Sequence, residues 1–219
     1  MITVAEAAKR IIERSRYLQE ALEKKLINTS SLARYIKPEL EEMLIRKTST
    51  SSVIMAISRI AKKLKPRFKY KNIFKTAPDM ITRSNLLEIN IKNSKNLIEK
   101  YPSLLKLSQS QKESFFTITQ GVFETTIITS RDLYPNIKKM VGRKDVVDEF
   151  HDLCSITIRL PKEAIVTPGV FYFFLKSLAW EGVNIIEVVS AYRELTLILE
   201  RKETNKAFTI LQSLFPQNI

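Results

Sequence analysis

From Ser84 onward the apolar residues change from helical spacing to alternation, and the order of elements that follows occurs twice. Leu87, Ile89 and Ile91 alternate with Glu88, Asn90 and Lys92, which predicts a half-buried strand. Asn93 and Ser94 cap a helix carrying Leu97, Ile98, Leu104 and Leu105, broken or kinked near Pro102. Residues 115–119 and 123–129 are strands separated by Gln120-Gly121-Val122, a short glycine loop that reads as a hairpin. A helix over 133–141 stops at Gly142. The order then returns: a strand over 155–160, and a helix capped by Thr167 with Pro168 in its first turn, ending by Gly182. Strands over 184–190 and 195–201 follow, and a last helix over 204–214 closes at Pro216. Two strand-helix-strand-strand-helix units are an internal repeat, and each can bury one sheet face under two helices, as ferredoxin-like folds do.

The residues before Ser84 read as helices. Residues 4–25 carry one apolar stripe that includes Val4, Ala7, Ala8, Ile11 and Ile12. Asn28, Thr29 and Ser30 are capping residues ahead of Leu32, Ala33 and Ile36, and Pro38 restarts the chain as a further helix. After the polar break 48–52, Val53, Ile54, Ile57, Ile60, Ala61 and Leu64 recur at helical spacing. The opposite face of that helix carries Ser51, Ser52, Met55, Ser58, Arg59, Lys62 and Lys63. Helices with the last one basic outside are what a helix-turn-helix module looks like. Its serines and cations reach phosphates or base edges, although many three-helix bundles expose lysines and the usual glycine turn is missing. The segment 65–75 interleaves cations, Arg67 and Lys69 among them, with aromatics. It reads as a wing, an arm along phosphates, or a linker strand with its apolar residues turned inward.

Charge sharpens this division. Residues 1–75 hold 18 Lys+Arg against 7 Asp+Glu, whereas residues 76–219 hold 18 against 16. A basic front end on a nearly neutral body points to double-stranded DNA as a partner, and a merely solvated basic surface gives the same balance. The expected architecture is α+β. A helical, helix-turn-helix-like domain spans 1–66 and a basic linker or wing strand 67–83, followed by βαββ units over 84–150 and 151–219.

The second unit reads Thr167-Pro-Gly-Val-Phe, then Leu178-Ala-Trp-Glu-Gly-Val-Asn-Ile-Ile-Glu-Val-Val-Ser190, then Arg193-Glu-Leu-Thr-Leu-Ile-Leu. Over residues 154–215 this resembles the ACT domain, a small ligand-binding module of amino-acid-metabolism proteins, and most closely its aspartokinase type. The first unit is then a divergent copy in a tandem. Leu26-Ile-Asn-Thr-Ser-Ser-Leu-Ala-Arg-Tyr-Ile36 is similar to prokaryotic, largely archaeal, helix-turn-helix proteins that also carry ACT domains. The resemblance implies an amino-acid effector held between ACT units by Thr167, Pro168, Gly169 and Val170 with Asn184, Ile185 and Ile186, and a homodimer through those units. A helix N-terminus there offers N–H groups and a positive dipole to a carboxylate. Two departures matter. The first unit has Asn93 and Ser94 where the second has Pro-Gly, and the second lacks an obvious fourth strand. That strand is expected from residues 68–74 or from a partner chain.

Catalytic chemistry has little to stand on. His151 is the lone histidine, placed between acidic residues in a connector, and Cys154 opens a strand as core packing. Four glycines form neither a phosphate loop nor a dinucleotide fingerprint, and no cofactor is expected. Asp145, Asp148, Glu149 and Asp152 read as a solvated patch rather than a metal site. No membrane span or signal peptide is expected, and the cytoplasm is the default compartment. The leading expectation is an amino-acid-responsive, DNA-binding transcriptional regulator without enzymatic activity. Its rivals are a non-catalytic ACT regulatory subunit that docks on a biosynthetic enzyme and a plain interaction module.

Overall fold

The computed structural model describes residues 2–64, 73–74, 76–110 and 114–215. The chain divides into two compact units, Met1–Arg67 and Phe68–Ile219. Among the described residues no helix is long and apolar enough to cross a membrane.

The first unit holds α1 (Val4–Arg14), α2 (Arg16–Glu23), α3 (Thr29–Leu44) and α4 (Thr50–Lys63). Thr3 and Glu6 form a reciprocal capping box that starts α1. The single helix expected over 4–25 is in fact two, because Ser15 leaves helical geometry and its side chain accepts from the Leu18 N–H. Gln19 donates its Nε2 back to the carbonyls of Ile12 and Glu13, at 3.3 and 2.8 Å, and so satisfies the end of α1. Pro38 does not restart the chain: it lies inside α3. Leu32, Ala33, Ile36 and Leu40 are all buried along one stripe of α3, and that packing holds the helix through the proline. Asn28 caps α3 and Ser49 caps α4, each accepting first-turn N–H groups. Ala7, Ile12, Leu32, Ile36, Val53 and Ile57 meet in one core.

The second unit is built on β1 (Met80–Lys92), α5 (Lys95–Ser110), β2 (Phe116–Gln120), β3 (Glu124–Ser130), α6 (Tyr134–Met140), β4 (Val146–Arg159), α7 (Val170–Trp180), β5 (Glu187–Ala191), β6 (Glu194–Glu200) and α8 (Thr204–Ser213). Six strands form one sheet in the order β2-β3-β1-β4-β6-β5, and every neighbouring pair is antiparallel. Each repeat therefore contributes three strands, and the two first strands pair at the centre. The place of the fourth strand that the second unit lacks, expected from residues 68–74 or from a partner chain, is taken by β1, and β4 fills the same place in the first unit.

That pairing explains why both strands outrun the sequence expectation, at 13 and 14 residues. The expected connector around His151 is the first half of β4. About the Leu86–Leu153 pair the register shifts on both sides, and the extra residues there, Asn85 and Asp152, have φ of 58° and 56°. Asn and Asp tolerate this left-handed conformation better than other side chains. The two bulges, like the two repeats, are related by an approximate twofold through the joint. On that axis Glu88 corresponds to Ser155 and Asn90 to Thr157. Thr126 donates to Asn90 Oδ1 at 2.7 Å, and the Thr157 and Thr196 hydroxyls meet at 2.9 Å.

One sheet face packs under α5 and α6 through Leu87, Ile89 and Ile91, and under α7 and α8 through Ile156, Ile158 and Leu197. Phe74 joins the latter core, 5.6 Å from Phe174 and 5.2 Å from Phe215, ring centre to ring centre. This residue of the basic segment turns inward. On the other face Leu86, Ile128, Leu153 and Ile198 are buried in a cluster that also receives Phe115, Ile186 and Val189 from beside and within the edge strands. The sheet curls, and side chains from both edges pack on this face.

The curl changes the environment of Glu88, which alternation alone assigns to solvent. It is only 4% exposed. Asn90 donates Nδ2 to its Oε1 at 2.9 Å, while Oε2 finds no partner among the described residues. Burial raises its pKa above the ordinary carboxylate value; the Asn90 bond opposes this, and Glu187 and Asp148 add to it. The folded state then holds the proton more tightly than the unfolded chain. The contribution is most favourable below the unfolded carboxylate pKa and is lost as pH rises through the raised folded value. Glu88→Gln should accordingly stabilise the unit at neutral pH by about 1–3 kcal/mol and flatten the slope of stability across acidic pH. Urea melts of both proteins from acidic to neutral pH check this; a variant less stable at pH 7 contradicts it.

Candidate functional site

The loop ahead of α7 differs in detail from its expected form. A short 3-10 turn, Lys162–Val166, comes first, and Thr167 donates its hydroxyl back to the Glu163 carbonyl at 2.7 Å. Thr167 therefore closes that turn and does not cap α7. The N-cap is Gly169, and Pro168 precedes it rather than sitting in the first helical turn. Gly169 has φ 88°, ψ 4° and contributes no side-chain cap, and the helical ladder begins with the Phe173 N–H on the Gly169 carbonyl. A side chain at this φ is strained, so a bulkier residue here costs stability.

The other half of the expected effector site precedes β5. Asn184 is exposed, while Ile185 and Ile186 are half-buried and belong to opposite faces of the sheet. Ile185 packs on the core under α7 and α8, and Ile186 packs on the curled face. Those two side chains are committed to packing. Of the loop residues, Val170 is buried, Thr167 and Gly169 are half-buried and Pro168 is exposed.

In the first unit α4 presents the expected stripe. Ser51, Met55, Arg59, Lys62 and Lys63 are exposed, whereas Val53, Ala56 and Ile57 face the core. Ser58 is half-buried, and Ser52 is tied into the helix cap through its N–H and its hydroxyl, which lies 2.8 Å from Ser49 Oγ. Arg67 and Lys69 lie outside the described residues.

Titratable groups elsewhere form local structure. Tyr134 donates to Glu149 at 2.6 Å, and His151 stands 3.4 Å from the same carboxylate. The Tyr134 bond, with Lys138 and His151 nearby, holds Glu149 below the usual carboxylate range against its partial desolvation. Cys154 is buried inside β4 rather than at its start. Among the described residues no group of three His, Cys, Asp or Glu side chains is placed to hold a metal ion.

A cleft of about 580 Å³ lies at one end of the sheet, where β4 leaves and β1 begins. Arg159, Arg193, Asp79 and Glu163 line it together with Phe74 and Ile73. Arg193, in the β5–β6 turn, donates its Nε to the Leu160 carbonyl at 2.9 Å, and its own carbonyl accepts from the Leu160 N–H at 2.7 Å. The Arg159 N–H reaches the Asp79 carbonyl at 2.9 Å. Sequence reasoning missed this site because it gathers a strand end, a hairpin turn and the approach to β1. The available signal was that Arg159 ends one strand and Arg193 immediately precedes the strand that pairs with it.

No family model matches the sequence, and no curated protein matches it. Solved structures do. The aspartate kinase of Clostridium acetobutylicum aligns with a TM-score of 0.52 at 15% identity, covering 65% of this chain and 35% of the enzyme. The aspartate kinase of Synechocystis gives 0.50 at 14% identity, over 65% of this chain and 28% of that one. The ligand-free regulatory subunit of aspartate kinase from Thermus thermophilus gives 0.49 at 13% identity, over 64% and 99%. The chain thus spans about a third of the Clostridium enzyme's length. At these identities the likeness is one of fold: this chain carries an α+β, ACT-like architecture also present in aspartate kinases.

Proposed function

We propose that the chain is a non-catalytic regulatory module that binds a small amino acid through its six-stranded unit and acts on a partner enzyme of amino-acid metabolism. One observation carries the proposal: the sheet of two joined repeats has the fold found within an allosteric aspartate kinase. The effector's carboxylate is placed at the first turn of α7 beside Thr167, Pro168, Gly169 and Val170, and its ammonium at Asn184. Both charged ends need partners, because an unpaired charge in a partly buried site is costly. Regulation requires the ligand to bind two states of the protein unequally. A second copy covering the edge strands β2 and β5 completes the module, since unpaired edges invite association. Sedimentation as a monomer at micromolar concentration speaks against that copy.

Duplex DNA is a second reading, favoured by the exposed stripe on α4. Arg59, Lys62 and Lys63 project from one helix in a segment with 18 cations against 7 anions over residues 1–75. Phosphate neutralisation makes such binding fall steeply with salt.

Calorimetry with each of the twenty amino acids, alone and with duplex DNA, separates the readings. Heat from at least one amino acid, unchanged by DNA, is the expected result for an enzyme-regulating module; no heat from any of them removes the proposal. For the second reading, reversing the charges of Arg59, Lys62 and Lys63 should abolish most duplex binding at low salt. It should also reduce the salt slope by about one for each phosphate no longer neutralised. A mobility shift that survives the three reversals removes DNA binding by α4.

A further inference from the structure

The cleft at the β4–β1 end of the sheet takes Pro161 and Glu163 from the start of the loop that opens α7 but none of Thr167, Pro168, Gly169 and Val170, and its lining carries charges of both signs. Two cationic residues, Arg159 and Arg193, line it together with two anionic ones, Asp79 and Glu163. Among the described residues none of the four forms an ion pair. The remaining wall includes Phe74, which is 8% exposed and anchored among Phe173, Phe174 and Phe215.

The approximate twofold through the β1–β4 joint supplies an internal comparison. At the opposite end of the sheet Lys92 occupies the place of Arg159, and its N–H bonds the Asp145 carbonyl at 2.8 Å as Arg159 bonds Asp79. The Asn93 N–H bonds the Phe123 carbonyl as the Leu160 N–H bonds that of Arg193. The backbone is thus repeated, but Phe123 stands where the second repeat has Arg193, and it points its ring to solvent at 84% exposure. Only the second repeat has turned this corner into a pair of arginines. Arg193 is also held in place, since its Nε is committed to the Leu160 carbonyl while its terminal nitrogens are left for another acceptor.

We propose that this cleft binds a zwitterionic α-amino acid with an apolar side chain. The two guanidiniums take the carboxylate in forked hydrogen bonds, Asp79 and Glu163 take the ammonium, and the Phe74 wall receives the side chain. Equal numbers of cationic and anionic groups match a ligand that carries both signs and no net charge. A volume of about 580 Å³ is ample for a single amino acid. The inference rests on the chain being amino-acid-responsive, but it assigns a site built on Arg159, Arg193, Asp79 and Glu163, none of which belongs to the effector site at Thr167, Pro168, Gly169, Val170 and Asn184.

The test is calorimetric titration of the intact chain with L-valine, L-leucine, L-isoleucine, L-methionine and L-phenylalanine, repeated on Arg159→Gln, Arg193→Gln and Glu163→Gln. Arg159 is the cleanest position, because its side chain is exposed and makes no bond among the described residues. Thermal melts of each variant establish that the fold is kept, with Arg193→Lys as a second variant should removing the hydrogen bond to Leu160 unfold the turn. The best-binding amino acid is then compared with its amide and with the acid lacking its amino group. Expected is a loss of affinity of about tenfold or more in Arg159→Gln, a smaller one in Glu163→Gln, and weakening of both truncated ligands. Binding unchanged in both arginine variants overturns the cleft while leaving an amino-acid-responsive protein intact. No binding to the wild-type chain by any of the five overturns the cleft, and silence across all twenty overturns the wider reading as well.

Discussion

The antiparallel pairing of β1 with β4 is the interaction on which the second unit depends. Neither repeat contains enough strand to finish a ferredoxin-like sheet, and each first strand has an open side. Pairing the two first strands closes both open sides at once, in a ladder that runs from Met80–Ile158 to Ile91–Val146. Buried amide and carbonyl groups must find partners, so two strands of such length specify one another strongly. The bulges at Asn85 and Asp152 increase twist near the centre, and the added twist accompanies a curl that brings both edges over one face. Isolated, either repeat would expose a long unpaired edge.

From that joint follows the placement of polar groups. Curling buries Glu88 and Ser155, twofold-related positions whose side chains each leave an oxygen unpartnered among the described residues. The same joint sets Arg159 beside the approach to β1, and the β5–β6 turn brings Arg193 to the same corner. Function, on this account, resides where the twofold is broken. The two repeats share backbone hydrogen bonds at both ends of the sheet and differ in the side chains mounted there.

Much of this was legible in the sequence, and the gaps have physical causes. Alternation at Leu87, Ile89 and Ile91, the Gly121 hairpin and the repeat order depend on local periodicity, and they survive in the structure with shifted bounds. The extensions of β1 and β4 do not, because residues 146–152 carry Asp148, Glu149, His151 and Asp152, which look like a connector. Their strand conformation comes from a partner strand distant in sequence. Likewise, propensity alone misreads Ser15 and Pro38, because Gln19 and the buried stripe of α3 decide where those helices end or continue. Of the expected effector residues, Gly169 caps α7 in a left-handed conformation, a role the sequence reading gave to Thr167, while Ile185 and Ile186 serve the two cores. The arginine corner was invisible to motif reading because its parts lie in three separate segments.

Native-state hydrogen exchange tests the joint most directly. If β1 and β4 are mutually required, the amides of Ile89 and Ile91 should open with the same free energy as those of Ile156 and Ile158, near that of global unfolding of the six-stranded unit. Both repeats should then lose protection in a single step with denaturant. If one repeat's first strand exchanges through a lower-energy opening while the other stays protected, the repeats fold independently, and the shared sheet is not what holds the unit together.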